Sequence, residues 1–165
     1  MRPRPRRDRF AGAFTLAELI VVLIVVAITA ALVVPYASST DSQAVSAARL
    51  AACDLQYAQS LAITMQAPVT VTYSTAARTY TLSNASGTLN HPMTGKPYVV
   101  GYGTTRGYES VSIVSAAFSA GSSVTFDATG APDNAGSVTL RAGTSVYRLA
   151  VAAATGNVTV TRVGG

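Results

Sequence analysis

The sequence predicts an α+β fold in which a long N-terminal helix packs on an antiparallel β-sheet domain. Apolar residues recur at helical spacing as far as Met65. From Pro68 onward apolar and polar residues alternate, which is the period of a strand. The region after the helix is also rich in Val, Thr, Ser, Gly and Tyr, a composition that favours strands and turns over a helical bundle.

The first element is a short basic leader, residues 1–13. It carries five arginines against one aspartate, so it holds most of the net charge of +5, while the remaining chain is nearly neutral. Arginines ahead of an apolar run are typical of a segment that stays on the cytoplasmic side of a membrane. Because the basic residues are concentrated in the leader, the sequence does not favour a nucleic acid as a partner of the domain that follows.

The second element, residues 14–35, is predicted to be a transmembrane helix. Its residues up to Val34 are apolar except for Glu18 and two threonines. About twenty residues at 1.5 Å each span a bilayer core of about 30 Å, and in lipid the backbone must satisfy its own hydrogen bonds as a helix. Glu18 is the exception that needs a function, because a charge in mid-membrane costs roughly 2.5–3.5 kcal/mol on insertion scales.

The third element is an amphipathic helix over residues 36–66. Pro35 is expected to kink the helix and not to end it, because the helical pattern resumes beyond it. The predicted apolar stripe consists of Val45, Ala48, Ala52, Leu55, Ala62 and Met65, widened by Leu50, Tyr57 and Leu61. Arg49, Asp54 and Gln59 lie mostly off it. Residues 14–66 would then form one rod of about 80 Å that ends at Gln66-Ala67-Pro68.

The last element is a β domain, residues 67–165. Strands are predicted at 69–74, 78–83, 98–102, 109–119, 122–128, 136–142, 146–153 and 157–163. A turn-rich loop, 84–97, separates the second and third of these. The final three are expected to form a meander with tight turns at Ala142–Ser145 and Thr155-Gly156.

Candidate catalytic and metal-binding residues do not form a set in this sequence. Cys53 is the only cysteine, so no intrachain disulfide is possible, and its place among alanines predicts a buried or half-buried thiol. His91 is the only histidine and has no second metal ligand near it in sequence. The acidic residues are scattered. We therefore expect no enzyme activity, no cofactor and no metal.

Two further segments are interpreted as structural. "DATGAPDN" (127–134) has the oxygen-bearing side chains of some calcium loops, but its spacing fails the EF-hand pattern and a hairpin turn is the better reading. Tyr98, Tyr102 and Tyr108 could form a stacking surface for bases. Core or sheet-face positions are the preferred interpretation of these tyrosines.

The stretch "GAFTLAELIVVLIVVAI" resembles the signal of type IV pilins and pseudopilins. In that family a basic leader ends in a small residue, usually Gly, and a Phe and an offset Glu follow. Here Ala13 stands in the Gly place, Phe14 and Glu18 match, and Pro35 matches a proline common in pilin helices. A secretory signal with a cleavage site near residues 36–38, or a simple membrane anchor, are the alternatives.

The resemblance implies a processing pathway and an assembly role. Prepilin peptidase would cut between Ala13 and Phe14, and the new amine of Phe14 would be N-methylated. Glu18 would pair with the Phe14 amine of a neighbouring subunit during assembly, which neutralises two charges in a low-dielectric setting. Pro35 would shape the assembling helix.

Two further segments restrict the resemblance to one branch of the pilin-like proteins. "LQYAQSLAITMQAPVTVTYS" resembles the junction between helix and first strand in GspH/FimT pseudopilins, and "VTFDATGAPDNAGSVTLRAG" their C-terminal motif. The resemblance implies a pilin-like fold and a minor pseudopilin of a type II secretion system, held in the inner membrane by a single pass with its β domain in the periplasm. Other pseudopilins or pilins and the inner-membrane secretion platform would be its partners.

A FimT-like minor type IV pilin, active in pilus assembly or DNA uptake, is the alternative. Some such pilins bind DNA through a basic Gly-Arg-x-Arg segment at the C-terminal turn. Here the turn reads Gly156-Asn157-Val158-Thr159, which lacks the first arginine, and Arg162 stands alone. This departure favours the secretion role.

Overall fold

The computed structural model describes residues 15–33, 39–119 and 121–164. They form two helices and nine strands, which confirms the predicted α+β class. Helix α1 (Leu16–Val33) belongs to one structural unit, and the elements from Ser39 onward belong to a second unit with its own core. No helix within these ranges is long and apolar enough to cross a membrane.

Helix α1 begins with a side-chain cap. The hydroxyl of Thr15 accepts a hydrogen bond from the backbone N–H of Glu18 at 3.2 Å, which satisfies one of the unpaired donors at a helix N-terminus. The predicted continuation of the helix through Pro35 falls on residues 34–38, outside the described residues. The single rod over residues 14–66 therefore stays a prediction.

Helix α2 (Ser39–Met65) ends close to the predicted boundary. Gln66 adopts a left-handed backbone with φ of 50°, and the N–H of Ala67 bonds back to the carbonyl of Ala62 at 3.2 Å. A left-handed residue just after the last turn is a common way to close a helix. Pro68 follows, and the chain turns directly into the first strand.

The buried face of α2 is lined by small side chains. Its buried apolar residues are Ala44, Ala47, Ala48, Ala51, Leu55, Ala58 and Ala62. The predicted stripe was therefore partly wrong, because Met65 is 45% exposed and Val45 and Ala52 are only half-buried. Alanine fits either face of a helix, and a face of alanines lets the helix lie close to the strands beneath it.

Nine strands make up the β domain. They are β1 (Val69–Ser74), β2 (Thr79–Asn84), β3 (Gly87–Thr88), β4 (Val99–Gly101), β5 (Val111–Phe118), β6 (Ser123–Phe126), β7 (Gly136–Ala142), β8 (Ser145–Val151) and β9 (Val158–Gly164). All eight predicted strands are present. The short strand β3 lies inside the predicted loop 84–97, where its Gly-Thr sequence gave no alternating signal.

The strands form two antiparallel sheets where the prediction had one. The first sheet has the order β3-β2-β1-β6, with β4 also paired to β2, and the second has the order β5-β7-β8-β9. The chain changes sheet three times, because β5 and β6 exchange places: β5 pairs with β7 in the second sheet, and β6 returns to pair with β1 in the first. Alternation in sequence identifies strands but not their partners, so it could not reveal this division. The predicted meander of the last three strands is confirmed.

Helix α2 packs against strands of both sheets, and the core lies between them. Tyr98 and Tyr102 are buried there, and Tyr108 packs against this core, which confirms the core interpretation of these three side chains. Tyr73 is also buried, and its hydroxyl has no hydrogen-bond partner among the described residues. The middle of the chain is thus fixed to the helix by aromatic side chains.

Candidate functional site: the surfaces and anchors of the two helices

The predicted assembly residue Glu18 lies exposed in the first turn of α1. Its backbone N–H is held by Thr15, and its carboxylate is near the positive end of the helix dipole. A helix N-terminus therefore favours an acid at this position even without a partner amine. The other predicted site residues, Ala13, Phe14 and Pro35, lie outside the described residues, so the pairing of Glu18 stays a prediction.

The described surface of α1 is apolar apart from Glu18 and Thr29. Every side chain described from residue 15 to residue 29 is exposed. The large apolar ones are Leu16, Leu19, Ile20, Val21, Val22, Leu23, Ile24, Val25, Val26 and Ile28. Contiguous exposed apolar surface on this scale marks a site of interaction with a membrane or with other proteins.

Asp54 is the main polar anchor between α2 and the sheets. Its carboxylate is buried and accepts hydrogen bonds from the hydroxyl of Tyr80 at 2.5 Å and from that of Tyr98 at 3.0 Å. Tyr80 lies in β2, and Tyr98 directly precedes β4. A buried carboxylate needs such partners, because losing water without replacement is costly. The pair of tyrosines thus fixes the middle of α2 over the first sheet.

The acidity of these tyrosines follows from the same geometry. Burial raises the pKa of Tyr80 and of Tyr98 well above the ordinary value of 10, and the nearby charge of Asp54 raises both further. Both hydroxyls therefore keep their protons and act as donors to Asp54 at neutral pH.

Gln59 joins α2 to two turns of the β domain. Its side-chain amide donates hydrogen bonds to the carbonyl of Gly130 at 2.7 Å and to that of Thr155 at 2.8 Å. Gly156, at φ of 65°, lies so close that a Cβ there would be 2.6 Å from Gln59 Nε2. The glycines of the "DATGAPDN" and Thr-Gly turns are therefore needed where the turns touch the helix.

The "DATGAPDN" turn uses its acidic side chains to hold its own backbone. Asp127 Oδ1 accepts bonds from the hydroxyl and the N–H of Thr129 at 2.6 and 2.8 Å and from the N–H of Ala131 at 3.0 Å. The Thr129 hydroxyl and these N–H groups lower the pKa of Asp127 below its ordinary value. This is the predicted turn. In the part of the chain that is described, no cluster of residues could hold a metal ion.

A third anchor fixes the start of α2 to the second sheet. The hydroxyl of Ser145 donates to Asp41 Oδ1 at 2.6 Å and accepts a bond from the Arg162 guanidinium at 3.1 Å. Arg162 is therefore folded back on its own sheet. The residue remains exposed to solvent.

An open groove of about 260 Å³ lies beside the first turns of α2. Its lining residues are Ser42, Gln43, Ser46, Arg106, Gly107 and Tyr108. Gln43 Oε1 fixes one wall by accepting a bond from the N–H of Ser110 at 3.1 Å. None of these residues is an acid or a histidine, and the N–H of Gly107 donates to Glu109 Oε2 at 3.0 Å.

Sequence reasoning missed Asp54 and Gln59 because both were placed off the apolar stripe. Asp54 lies three residues after Ala51 and four before Ala58, so its spacing already matched the buried face. Its charge was the reason for assigning it to solvent. The prediction of a buried or half-buried thiol at Cys53 was also wrong, since the residue is exposed. The neighbouring Asp54 takes the inward position in that turn.

Comparison with known proteins gives one family and a set of similar structures. The model of the family described as type II transport protein GspH matches residues 47–156, two-thirds of the chain. No curated protein matches the sequence. The minor pseudopilin EpsH from the type 2 secretion system of Vibrio cholerae is similar in structure, with a TM-score of 0.52, 13% identity, and coverage of 74% of this chain and 97% of that chain. The type IV minor pilin FimU of Pseudomonas aeruginosa has a TM-score of 0.50, 14% identity, and coverage of 74% and 89%.

Proposed function

Because this chain belongs to the GspH family of type II transport proteins, we propose that it is a minor pseudopilin of a type II secretion system. The family match carries the proposal, since it covers two of the three helix anchors, Asp54 and Gln59, and the turns that Gln59 contacts. The pilin-like fold is shared with both a pseudopilin and a type IV pilin. Assembly with other pseudopilins or pilins is the role that this family implies.

In the proposed pathway, prepilin peptidase cuts between Ala13 and Phe14 in the inner membrane, and the Phe14 amine is then methylated. Residues 14–35 hold the subunit in that membrane as a single pass, with the β domain in the periplasm. The apolar surface of α1 supports this, because its described side chains are apolar apart from Glu18 and Thr29. The secretion platform and other pseudopilins are the proposed partners, and no enzymatic step is assigned to the subunit.

We propose that Glu18 favours docking of the subunit against a neighbouring subunit in the assembly. A carboxylate one helical turn from a neighbour's Phe14 amine would neutralise that amine, whereas an unpaired Glu18 in lipid is unfavourable. The capped position of Glu18 supports this role, because Thr15 fixes the backbone at this residue and leaves the carboxylate exposed. Pro35 is proposed to set the bend of the assembling helix.

A minor type IV pilin is the second candidate, favoured by the similarity to FimU. In that case the subunit would act in pilus assembly or DNA uptake. The folded-back Arg162 weighs against DNA capture at the C-terminal turn. Gel shifts over a salt series would detect DNA binding, whose affinity should fall steeply with salt if phosphates are contacted.

One experiment tests processing and assembly together. The full chain is expressed with a prepilin peptidase and partner pseudopilins, as wild type and as Glu18→Ala. Mass spectrometry should find Phe14 at the N-terminus of both forms, because the substitution only makes the segment more apolar. Cross-linking between membrane-resident subunits should fall in the variant.

The two readouts separate the competing explanations. Cleavage near residue 37 in the wild type would contradict the pilin-type reading. Accumulation of uncleaved Glu18→Ala would show that Glu18 serves recognition by the peptidase. Normal cleavage with undiminished cross-linking would leave Glu18 without an assembly role.

A further inference from the structure

The charged side chains of the second unit are unevenly distributed. Seven basic and five acidic side chains follow Ser39, so this unit is close to neutral as a whole. Five of the seven basic side chains nevertheless lie toward the end of the unit at which α2 begins, which we call the basic end. They are Arg78, Arg106, Arg141, Arg148 and Arg162. All five are exposed to solvent.

The loop between β4 and β5 places two of these arginines. Arg106 lines the groove next to the first turns of α2, together with Ser42 and Gln43. The Arg78 guanidinium lies against Gly103 of the same loop, because a Cβ on that glycine would be 2.7 Å from Arg78 Cζ. Both guanidinium groups therefore lie on the side of the unit where α2 begins.

The hairpin between β7 and β8 brings two more arginines toward this end. Its turn touches the start of α2, because a Cβ on Gly143 would be 3.3 Å from Thr40 Oγ1. Arg141 precedes this turn in β7, and Arg148 follows it in β8. Side chains alternate along a strand, and the residues on both sides of Arg141 and the residue after Arg148 are buried. Both arginines therefore project from the outer face of the sheet.

The fifth arginine is held at the same hairpin. Arg162 donates to the Ser145 hydroxyl at 3.1 Å, and that hydroxyl donates to Asp41 in the first turn of α2. Among the described residues the acids at this end are Asp41 and Glu109. Both carboxylates already accept hydrogen bonds, that of Glu109 from the Gly107 N–H at 3.0 Å. Five arginines against two carboxylates leave the basic end with a net charge of +3.

The far end of the unit, where α2 finishes, has the opposite charge. Asp127 and Asp133 are both exposed there. They belong to the "DATGAPDN" turn, whose Gly130 carbonyl accepts a hydrogen bond from Gln59 of α2. The second unit is thus positive at the end where α2 begins and negative at the end where α2 finishes.

We propose that the basic end binds the anionic phospholipid headgroups of the membrane in which α1 is anchored. This inference rests on the proposed anchoring of residues 14–35. Six residue steps separate Val33, the last residue of α1, from Ser39, the first of α2, and six residues reach at most about 22 Å in any conformation. The basic end is therefore the end that the chain keeps close to the bilayer surface.

The chemistry of the basic end fits a lipid surface. Guanidinium groups present planar sets of donors that match phosphate oxygens, and basic residues beside a membrane-spanning segment are attracted to anionic lipid. The five arginines are spread over two connecting segments and three strands, so they suit an extended anionic surface and not a single small anion. The same surface repels the carboxylates at the far end. Lipid charge would thus determine which end of the unit faces the membrane.

A nucleic acid offers the same phosphate chemistry as a lipid headgroup. The headgroups differ because the anchor holds them beside the basic end, which raises their effective concentration. The position of the arginines in the chain therefore favours lipid, and DNA serves as the competing ligand in the experiment.

Quenching by labelled lipid in the full chain tests the contact. In a Cys53→Ser background, a fluorophore is attached to Thr144→Cys, in the β7–β8 turn, or to Ala154→Cys, in the β8–β9 turn at the far end. Both positions are exposed. The protein is reconstituted in vesicles of phosphatidylcholine, with or without phosphatidylglycerol, that contain a headgroup quencher. Phosphatidylglycerol should raise quenching at residue 144 at least twofold and leave residue 154 unchanged.

Salt and charge variants show whether the arginines cause this gain in quenching. About 1 M salt shortens the screening length to about 3 Å and should remove the gain. Arg106→Gln with Arg141→Gln should reduce the gain by at least half, because two of the five cations are lost. Arg49→Gln with Lys96→Gln is the matched control. It removes the same charge from exposed residues of α2 and of the loop before β4, outside the basic end, and should keep the gain.

Flotation with the vesicles separates this contact from the anchor. A chain that floats with phosphatidylcholine vesicles is anchored, and the absence of a gain from phosphatidylglycerol in that chain would overturn the lipid contact alone. Failure to float with either lipid would overturn both proposals. A gain that survives high salt, or an equal loss in the two double variants, would also overturn the contact. DNA binding that needs Arg106 and Arg141, without any effect of lipid charge, would assign the basic end to nucleic acid instead.

Discussion

The two helices are specified in opposite ways. Helix α1 exposes large apolar side chains on every described face and has one polar contact to its backbone at its start, the cap from Thr15. Helix α2 buries a face made mainly of alanines and uses Asp54 and Gln59 to bond to the strands and turns around it. The surface of α1 is thus characterised by its apolar composition, and that of α2 by directional hydrogen bonds.

The difference shows how strictly each helix fixes the rotation and offset at which it packs. Apolar contact is not directional, so an apolar surface like that of α1 can be satisfied in many rotations or offsets. Hydrogen bonds from a buried carboxylate require one arrangement of donors. The docking of α2 should therefore be sensitive to single atoms, while α1 should be sensitive mainly to charge.

The largest expected effect comes from Asp54→Ala. It removes the acceptor for two buried hydroxyls, on Tyr80 and Tyr98, and should lower the free energy of unfolding by about 3 kcal/mol. Denaturant unfolding of the full chain in detergent, followed by near-ultraviolet circular dichroism of the tyrosines, measures this. Cys53→Ala changes the exposed neighbour and Val22→Ala changes α1; both should leave the transition in place. An equal loss for Cys53→Ala would contradict the asymmetry.

Gly156→Ala should have the next largest effect. A left-handed alanine costs about 1–2 kcal/mol, and the new Cβ would also displace the Gln59 amide, so a total near 2 kcal/mol is expected. Gly95→Ala is the matched control, because Gly95 has φ of 66° against 65° for Gly156, with nothing within 4 Å of its Cβ position. If both variants lose the same stability in denaturant melts, the contact with Gln59 contributes nothing.

Tyr73→Phe should change stability in the opposite direction. The Tyr73 hydroxyl is buried and has no partner among the described residues, so its removal should stabilise the fold by about 1 kcal/mol. Tyr80→Phe removes a hydroxyl that does bond, to Asp54, and should destabilise it. Thermal melts of the two variants should therefore shift in opposite directions. Parallel shifts would mean that packing around the rings outweighs the hydrogen bond.

The smallest effect concerns acid. The Thr129 hydroxyl and nearby N–H groups hold the pKa of Asp127 in the folded chain below its ordinary value of 3.8. The carboxylate thus contributes stability that is fully present above the unfolded pKa and is lost as the pH falls through the folded pKa. In a plot of Tm against pH, Asp127→Asn should reduce the fall of Tm at acid pH. Above pH 5 the slope of the plot should stay close to that of the wild type. If the variant loses stability at acid pH as steeply as the wild type, the loss comes from other groups. Glu109 is one of them, because backbone N–H groups also lower its pKa.

Much of the fold could be predicted because strands and helices have distinct periods. The change of period at Pro68 located both the end of α2 and the start of β1. The division into two sheets could not be predicted, because pairing between β6 and β1 spans about fifty residues and leaves no local signal. The short β3 was missed for a related reason, since two residues cannot show an alternation.

The anchors of α2 were harder to predict than its existence. A charged residue is normally assigned to solvent, and only the hydroxyls of Tyr80 and Tyr98 make burial of Asp54 possible. Those tyrosines are 26 and 44 residues away in sequence. Conversely, the turns around Gly130 and Gly156 were identified as turns, but the need for glycine lies in the contact with Gln59.

The anchors along α2 also decide how the second unit would respond to mechanical load. Polar contacts occur at Asp41, at Gln43, at the Ala47 carbonyl that accepts a bond from the Tyr102 hydroxyl, at Asp54 and at Gln59. They are two to seven residues apart, and at 1.5 Å per residue they cover about 27 Å of the helix. A pull along the helix axis would strain these bonds in parallel, as in shear. Sliding by a single residue would misalign all of them together, so the helix should resist axial force as a unit and not peel away bond by bond.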